Sequence, residues 1–340
     1  MIAFLTEGNN EIGMGHFLRC FGIAEKLSEQ GERVSFIIPG DADRSFPESK
    51  GFDTHVLKSV PNASWNIDEA CELLKRLKAD TVVADSYRLS NEDFGGIRKV
   101  CRLIYLDDLD LFDCNVDAVI NFNPEADEAK YLSAGIPNRK VFAGVKYYPL
   151  RKEFEGKRKP DISPEVKSVL ITSGSTDPYE CVLNILNGIG PDSHKGISFS
   201  ILVGKYYSDE YVKSLNDLCM MHENVSLLPW GDRIADELVK ADLLITPGSS
   251  MVMEGLSLNV PCITYEFVDN QHETVVWLDK LGMAASFGRL SDGNPGSAIR
   301  KVFESELPYE VRARRSKVYS EVFDGKGLDR VVDIIRKRSF

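Results

Sequence analysis

Short, fully apolar runs alternate with longer stretches in which apolar residues return every three or four positions, and the alternation persists through most of the 340 residues. Residues 2–6 read as a buried strand. Phe17, Cys20, Phe21, Ala24 and Leu27 then recur at helical spacing, with Arg19, Glu25, Lys26 and Glu29 predicted to face away from the core. Gly31 ends that helix, and residues 34–38 form the next strand. A helix near 66–78 and strands at 81–85, 103–106, 118–121 and around Val141 follow. Helices interleaved with short apolar strands imply a mostly parallel sheet covered on both faces.

The pattern breaks once. Residues 151–165, RKEFEGKRKPDISPE, are charged, carry prolines and contain almost no apolar content, which predicts a linker. The alternation then restarts, with strands at 168–173, 197–203, 225–228, 242–246 and 262–267 and helices between them. The expected organisation is an α/β domain over residues 1–150, the linker, a second α/β domain over 166–310, and C-terminal helices over 311–340 able to pack back on the first domain. A single core usually stops growing at roughly 250 to 300 residues, so this length also favours two domains. Two doubly wound sheets in tandem predict a cleft at the carboxyl ends of their strands.

Charge and composition narrow the function classes. The chain has 52 acidic against 41 basic residues and a formal charge of -11, so it lacks the basic footprint of a nucleic-acid groove. Seven cysteines without a CxxC pair read as buried thiols of a reducing compartment. The first residues lack the basic start and apolar core of a signal peptide, and no stretch approaches the ~20 apolar residues of a membrane span. These features predict a cytoplasmic protein that does not insert into membranes. His55, His194, His222 and His272 show no metal-ligand spacing, so neither a metal nor another cofactor is expected. Nothing in the pattern predicts an oligomeric state.

Candidate chemistry clusters where strands become helices. His16 follows the turn containing Gly13 and Gly15 and opens the first helix. Unpaired amides at a helix start favour a neutral imidazole, which suits a general base; the alternative is a capping or packing histidine. The two glycines permit a tight turn and close ligand approach, but lack the three-glycine spacing of a dinucleotide fingerprint. The turn with Gly248, Ser249 and Ser250 opens another helix and offers amides and hydroxyls to a phosphate. Glu254, one turn on, matches a pair of ribose hydroxyls. Gly174 and Ser175 follow the first strand of the second domain and fit a nucleotide wall, while Asn270 and Gln271 are suited to sugar or phosphate oxygens. In the first domain Asp85 and Tyr87 end one strand and Asp107–Asp108 another, where carboxylates can position a sugar or orient a water.

Residues 12–20, IGMGHFLRC, together with VADSY at 83–87, LDD at 106–108, SGSTDP at 173–178, PGSSMVME at 247–254 and Asn270–Gln271, resemble the PseG family, UDP-sugar hydrolases of pseudaminic acid biosynthesis. The matches fall in order over most of the chain. The resemblance implies a GT-B fold, two Rossmann-like doubly wound domains facing an interdomain cleft, related in architecture to the glycosyltransferase MurG. It implies release of UDP from UDP-2,4-diacetamido-2,4,6-trideoxy-β-L-altropyranose by water attack at the anomeric carbon with inversion, with His16 as base. UDP would be held by the second domain through Ser249, Ser250 and Glu254, with Asn270 and Gln271 nearer the sugar-phosphate junction. One departure stands out: where the family has an Arg-x-Asp-x-Ser pattern, this chain has Leu5, Glu7 and Asn9, so a rigid multidentate donor is replaced by leucine. Two other functions fit the same motifs: a glycosyltransferase in which His16 deprotonates an acceptor hydroxyl, and a nucleotide-sugar binding protein without turnover.

Overall fold

The computed structural model describes residues 1–9, 12–59, 65–229, 231, 233–291 and 296–337. The chain divides into two compact units, Met1–Lys152 with Gly325–Phe340, and Glu153–Asp324.

In the first unit, β1 (Ile2–Thr6), α1 (Gly15–Glu29), β2 (Val34–Ile38), α2 (Ser45–Ser49), β3 (Asp53–Val56), α3 (Ile67–Leu77), β4 (Thr81–Asp85), α4 (Asn91–Arg98), β5 (Arg102–Leu106), β6 (Ala118–Asn121), α5 (Glu128–Ser133) and β7 (Lys140–Ala143) alternate along the chain. The strands form one seven-stranded sheet, ordered β3-β2-β1-β4-β5-β6-β7, and every pair is parallel. β1, β2 and β4 are buried along their whole length, which is why they read as unbroken apolar runs. The edge strand β3, with sequence DTHV, is only partly covered; its polar composition concealed it from pattern reading. The same holds for the short helices α2, α4 and α5.

The second unit repeats the winding. Here β8 (Ser168–Ile171), α6 (Cys181–Ile189), β9 (Ser198–Leu202), α7 (Asp209–Met221), β10 (Val225–Leu228), α8 (Ile234–Lys240), β11 (Leu243–Pro247), α9 (Ser250–Ser257), β12 (Cys262–Glu266), α10 (His272–Lys280), β13 (Ala284–Arg289), α11 (Gly296–Ser305) and α12 (Tyr309–Val322) follow one another. Its six strands are ordered β10-β9-β8-β11-β12-β13, again all parallel. In each sheet the order reverses beside the first strand of the unit, between β1 and β4 and between β8 and β11. This is the doubly wound Rossmann-like plan, whose ligands bind beyond the carboxyl ends at the reversal.

The C-terminal region is shared out. α12 stays with the second unit, whereas α13 (Gly327–Arg336) belongs to the first. α13 lies so close to Tyr148 that a Cβ at Gly327 would come within 2.0 Å of the Tyr148 carbonyl oxygen. Its last carbonyls are capped by the Arg102 guanidinium, at 2.9 Å from the oxygen of Ile334 and 3.0 Å from that of Ile335. The charged segment after Arg151 is fastened along the second unit. Phe154 and Ile162 are buried there, Lys157 meets Asp236 at 2.6 Å, and Lys159 donates to the Ala241 carbonyl at 2.9 Å.

Arg312 on α12 has no exposed surface, and its guanidinium donates to the carbonyls of Ser163 at 2.8 Å, Pro164 at 2.9 Å and Leu307 at 3.3 Å. Arg312→Met keeps the apolar stem but leaves those carbonyls without a donor. Urea unfolding should show a loss of about 3 kcal/mol; a change below about 0.5 kcal/mol, the scale of an ordinary surface substitution, would refute this account of how α12 is held.

Candidate active site

The reversal between β1 and β4 sets Thr6 opposite Asp85. From Thr6 the chain must turn sharply to place α1 over the sheet. Gly13 adopts a φ of +79°, a left-handed conformation that glycine takes without strain, and its amide closes onto the Asn9 carbonyl at 2.9 Å. Gly8 is required for a different reason: a Cβ there would lie 2.3 Å from the Phe17 ring. Gly15, by contrast, has no neighbour within 4 Å of an added Cβ and no positive φ.

This turn lowers His16 into the structure, 3% exposed, with Nδ1 2.6 Å from Asp85 Oδ1. Asp85 has no exposed surface and collects further donors: Arg19 approaches both carboxylate oxygens through Nε and Nη2, and the Cys20 thiol donates to Oδ2 at 3.3 Å. Burial alone would raise the Asp85 carboxyl. The charge of Arg19 and the hydrogen bonds from Arg19 and His16 outweigh it and hold the group well below the usual carboxylate range. An ionised carboxylate only accepts, so the proton on the His16 ring resides at Nδ1 and Nε2 carries the lone pair. Arg19 Nη2 also lies 2.7 Å from Nδ1. Both are then donors, drawn together by the oxygen that they share, Asp85 Oδ1. His16 Nε2 has no hydrogen-bond partner among the described residues. Burial, then the Asp85 charge, pushes the Cys20 thiol well above its ordinary value, so it remains a protonated donor rather than a nucleophile.

Tyr87 packs edge-on to His16, with ring centroids 4.3 Å apart, and its hydroxyl donates to Asp108 Oδ2 at 3.1 Å. Arg19 Nη1 reaches the same oxygen at 2.6 Å, and its guanidinium carbon stands 5.4 Å from the Phe122 ring centroid. Asp107 is turned inward instead, where it accepts from the amides of Leu109 and Leu111 at 2.9 and 2.7 Å and from the Tyr131 hydroxyl. Glu7, with no exposed surface, accepts from Ser86 Oγ at 2.6 Å and pairs with Arg88, whose other side meets Asp41 at 2.7 Å. A guanidinium therefore does stand at this edge, delivered from the β4 side rather than from β1. Hydrogen bonding to Arg88 holds the Asp41 carboxyl below its ordinary value despite partial desolvation.

At the reversal in the second unit, the turn after β11 is tightly built. The Gly248 amide donates to the Tyr265 carbonyl and that of Ser249 to the Pro247 carbonyl, at 2.9 and 2.7 Å. A Cβ on Gly248 would meet Val275 at 2.6 Å and the Gln271 carbonyl at 2.8 Å, so glycine lets α10 approach. Ser249 is the N-cap of α9 without a side-chain cap bond, Ser250 is its first residue, and Glu254 is buried one turn further. Gly174 takes a φ of +87° with its amide on Thr172 Oγ1 at 3.0 Å, and the Ser175 carbonyl accepts from the Tyr206 amide at 2.9 Å. Asn270 is exposed. Gln271 is buried, and its Oε1 accepts from the Phe267 amide at 2.9 Å. Among the described residues no group of three or more His, Cys, Asp or Glu is arranged to hold a metal ion, and no helix is long and apolar enough to cross a membrane.

No protein-family model matches the chain. It is 26% identical over 290 residues to the UDP-2,4-diacetamido-2,4,6-trideoxy-β-L-altropyranose hydrolase of Campylobacter jejuni, a match that covers 84% of this chain and 98% of the hydrolase. The chain is a homologue of that hydrolase. It is also 26% identical over 278 residues to an uncharacterised protein of Methanocaldococcus jannaschii, covering 77% of this chain but spanning only about half, 54%, of that relative. Among solved structures, MurG of Acinetobacter baumannii superimposes with a TM-score of 0.69 at 14% identity, over 99% of each chain. The fold class is therefore GT-B, with two Rossmann-like α/β units.

The motifs led to His16, Asp85 and Tyr87, which stand together, but pattern reading set Arg19 on the outward face. Its side chain is in fact only 16% exposed and binds Asp85 and Asp108. The available signal was spacing: Arg19 lies three residues after His16, on the same helix face. Arg88 and Phe122 gave no comparable signal, because they meet their partners, Glu7 and Arg19, only through the sheet.

The position of Asp85 has a consequence for acid stability. Its folded carboxyl titrates below the unfolded one, so its contribution is complete above about pH 4 and is lost as the pH falls below that. Between pH 5 and 3 the wild type should lose stability more steeply than Asp85→Asn, by up to about 1.4 kcal/mol per pH unit. Parallel slopes in denaturant titrations across that range would contradict it.

Proposed function

We propose that the chain hydrolyses a UDP-linked acetamido deoxy sugar at C1, releasing UDP and free sugar, with His16 as the general base. The observation that carries this reading is the buried His16–Asp85 pair, in which Nδ1 is committed to the carboxylate and Nε2 has no partner among the described residues. Homology to the Campylobacter hydrolase supports UDP-2,4-diacetamido-2,4,6-trideoxy-β-L-altropyranose as the first substrate to test.

In this mechanism Nε2 takes a proton from water as the water oxygen bonds to C1. The bond from C1 to the β-phosphate oxygen breaks on the opposite face, its electron pair leaves with UDP, and the configuration inverts. The imidazolium that forms lies against an ionised Asp85, which stabilises it without itself taking the proton. Arg19 and Cys20 hold Asp85 in place and are positioning residues. The second unit supplies the nucleotide site: hydroxyls and first-turn amides at Ser249 and Ser250 for the diphosphate, Glu254 for the ribose, Gly174 and Ser175 as a wall, and Asn270 and Gln271 towards the sugar-phosphate junction.

The likeness in fold to MurG supports a second reading, in which His16 deprotonates an acceptor hydroxyl. Turnover in the absence of any acceptor separates the two: UDP and free sugar in equal amounts indicate hydrolysis, and release only on adding an acceptor indicates transfer.

With 18O-labelled water the label should appear in the sugar, since attack is at carbon. His16→Asn should lower kcat by roughly 10²- to 10⁴-fold while UDP affinity stays within about 3-fold. Label in UDP, or a variant that keeps its rate, would overturn the assignment.

A further inference from the structure

The two carboxylates that follow β5 have different surroundings. Asp107 is saturated by the Leu109 and Leu111 amides and the Tyr131 hydroxyl. Asp108 uses only one oxygen: Oδ2 accepts from Arg19 and Tyr87, whereas Oδ1 is buried and has no hydrogen-bond partner among the described residues. The buried carboxylates after β4 and β1, Asp85 and Glu7, have donors on both oxygens. A buried anionic oxygen without a protein donor is an unfavourable arrangement that a native structure retains where water, an ion or a ligand completes it. The Asp108 side chain is 15% exposed, and the terminal torsion of an aspartate is soft, so a small rotation presents Oδ1 to an arriving group.

Its location defines that group. Arg19 spans from Asp108, through Nη1, to His16 Nδ1, through Nη2, and Tyr87 touches both the imidazole and Oδ2. Asp108 is therefore one guanidinium's width from the proposed base. A carboxylate accepts hydrogen bonds and repels phosphate, and with the ribose assigned to Glu254 of the second unit, a carboxylate beside the proposed base is matched to a donor on the sugar.

We propose that Asp108 is a specificity-determining residue that accepts a hydrogen bond from a hydroxyl or acetamido N–H of the sugar. The inference rests on the reading that the chain handles a nucleotide sugar. Asp108→Asn tests it sharply, because Arg19 and Tyr87 keep the amide oxygen facing them and the NH2 then occupies the place of Oδ1. An acceptor becomes a donor.

The full-length wild type and Asp108→Asn would be given UDP, the UDP-linked 2,4-diacetamido sugar, its 3-deoxy analogue and its N-methylacetamido analogues, with kcat/KM and calorimetric Kd as readouts. The wild type should prefer the parent over one analogue by at least about 100-fold, and which analogue loses affinity tells hydroxyl from N–H. In Asp108→Asn that preference should fall below about 10-fold, with UDP affinity unchanged within about 3-fold. Should this variant fail to fold, Asp108→Glu keeps the charge for Arg19 but displaces the acceptor, and the same loss of preference is expected. An undiminished preference, or an equal decline for every sugar, as expected of a residue that only orients water or supports the fold, would overturn the proposal. If the wild type releases no UDP, the hydrolase reading fails, yet the parent-against-analogue Kd ratio and its loss still decide the role of Asp108.

Discussion

The arrangement in the first unit depends on one buried carboxylate. Asp85 ends β4 with no exposed surface and is kept ionised there by His16, Arg19 and Cys20, all from the first half of α1. An unpaired charge at that depth would cost far more than its neighbours could return. The pairing therefore fixes where α1 begins over the sheet, and the Gly8 and Gly13 turn exists to permit that approach. It also fixes the chemistry of His16, because an acceptor-only partner at Nδ1 leaves the other nitrogen as the base.

Both sheets wind in the same way, and parallel strands deliver their carboxyl ends, with the loops that follow, to one edge of each unit. The two edges differ in character. That of the first unit carries Glu7, Asp41, Asp85 and Asp108, with Arg19 and Arg88 set between them. Such a surface disfavours a phosphate and favours hydrogen-bond donors. The edge of the second unit offers small hydroxyl residues and glycine turns after β8 and β11, where the chemistry suits a diphosphate. This division of charge parallels the division of labour proposed for the sugar and the nucleotide.

Much of this was legible in the sequence, and the physical reasons are specific. Strands buried on both faces are apolar throughout, so β1, β2, β4 and β11 were evident from composition alone. β3 was not, because an edge strand half open to solvent is polar. His16, Asp85 and Tyr87 stood out as strand-end or turn residues. Arg19 did not, since an arginine between apolar helix positions ordinarily faces water; only its partners, Asp85 and Asp108 on β4 and beyond β5, show why it turns inward. Leu5 read as the loss of a guanidinium, and the structure brings one to Glu7 from Arg88, 81 residues further along. Pairings across parallel strands have no fixed sequence separation, so no local pattern reports them.

The central claim, that Asp85 makes Nε2 of His16 the proton acceptor, can be examined by nitrogen NMR of protein labelled with 15N-histidine, with the His16 signals assigned through His16→Asn. Near neutral pH the account predicts a proton on Nδ1 and an unprotonated Nε2, and Asp85→Asn should abolish that preference. A ring protonated at Nε2, or a tautomer indifferent to Asp85, would contradict it.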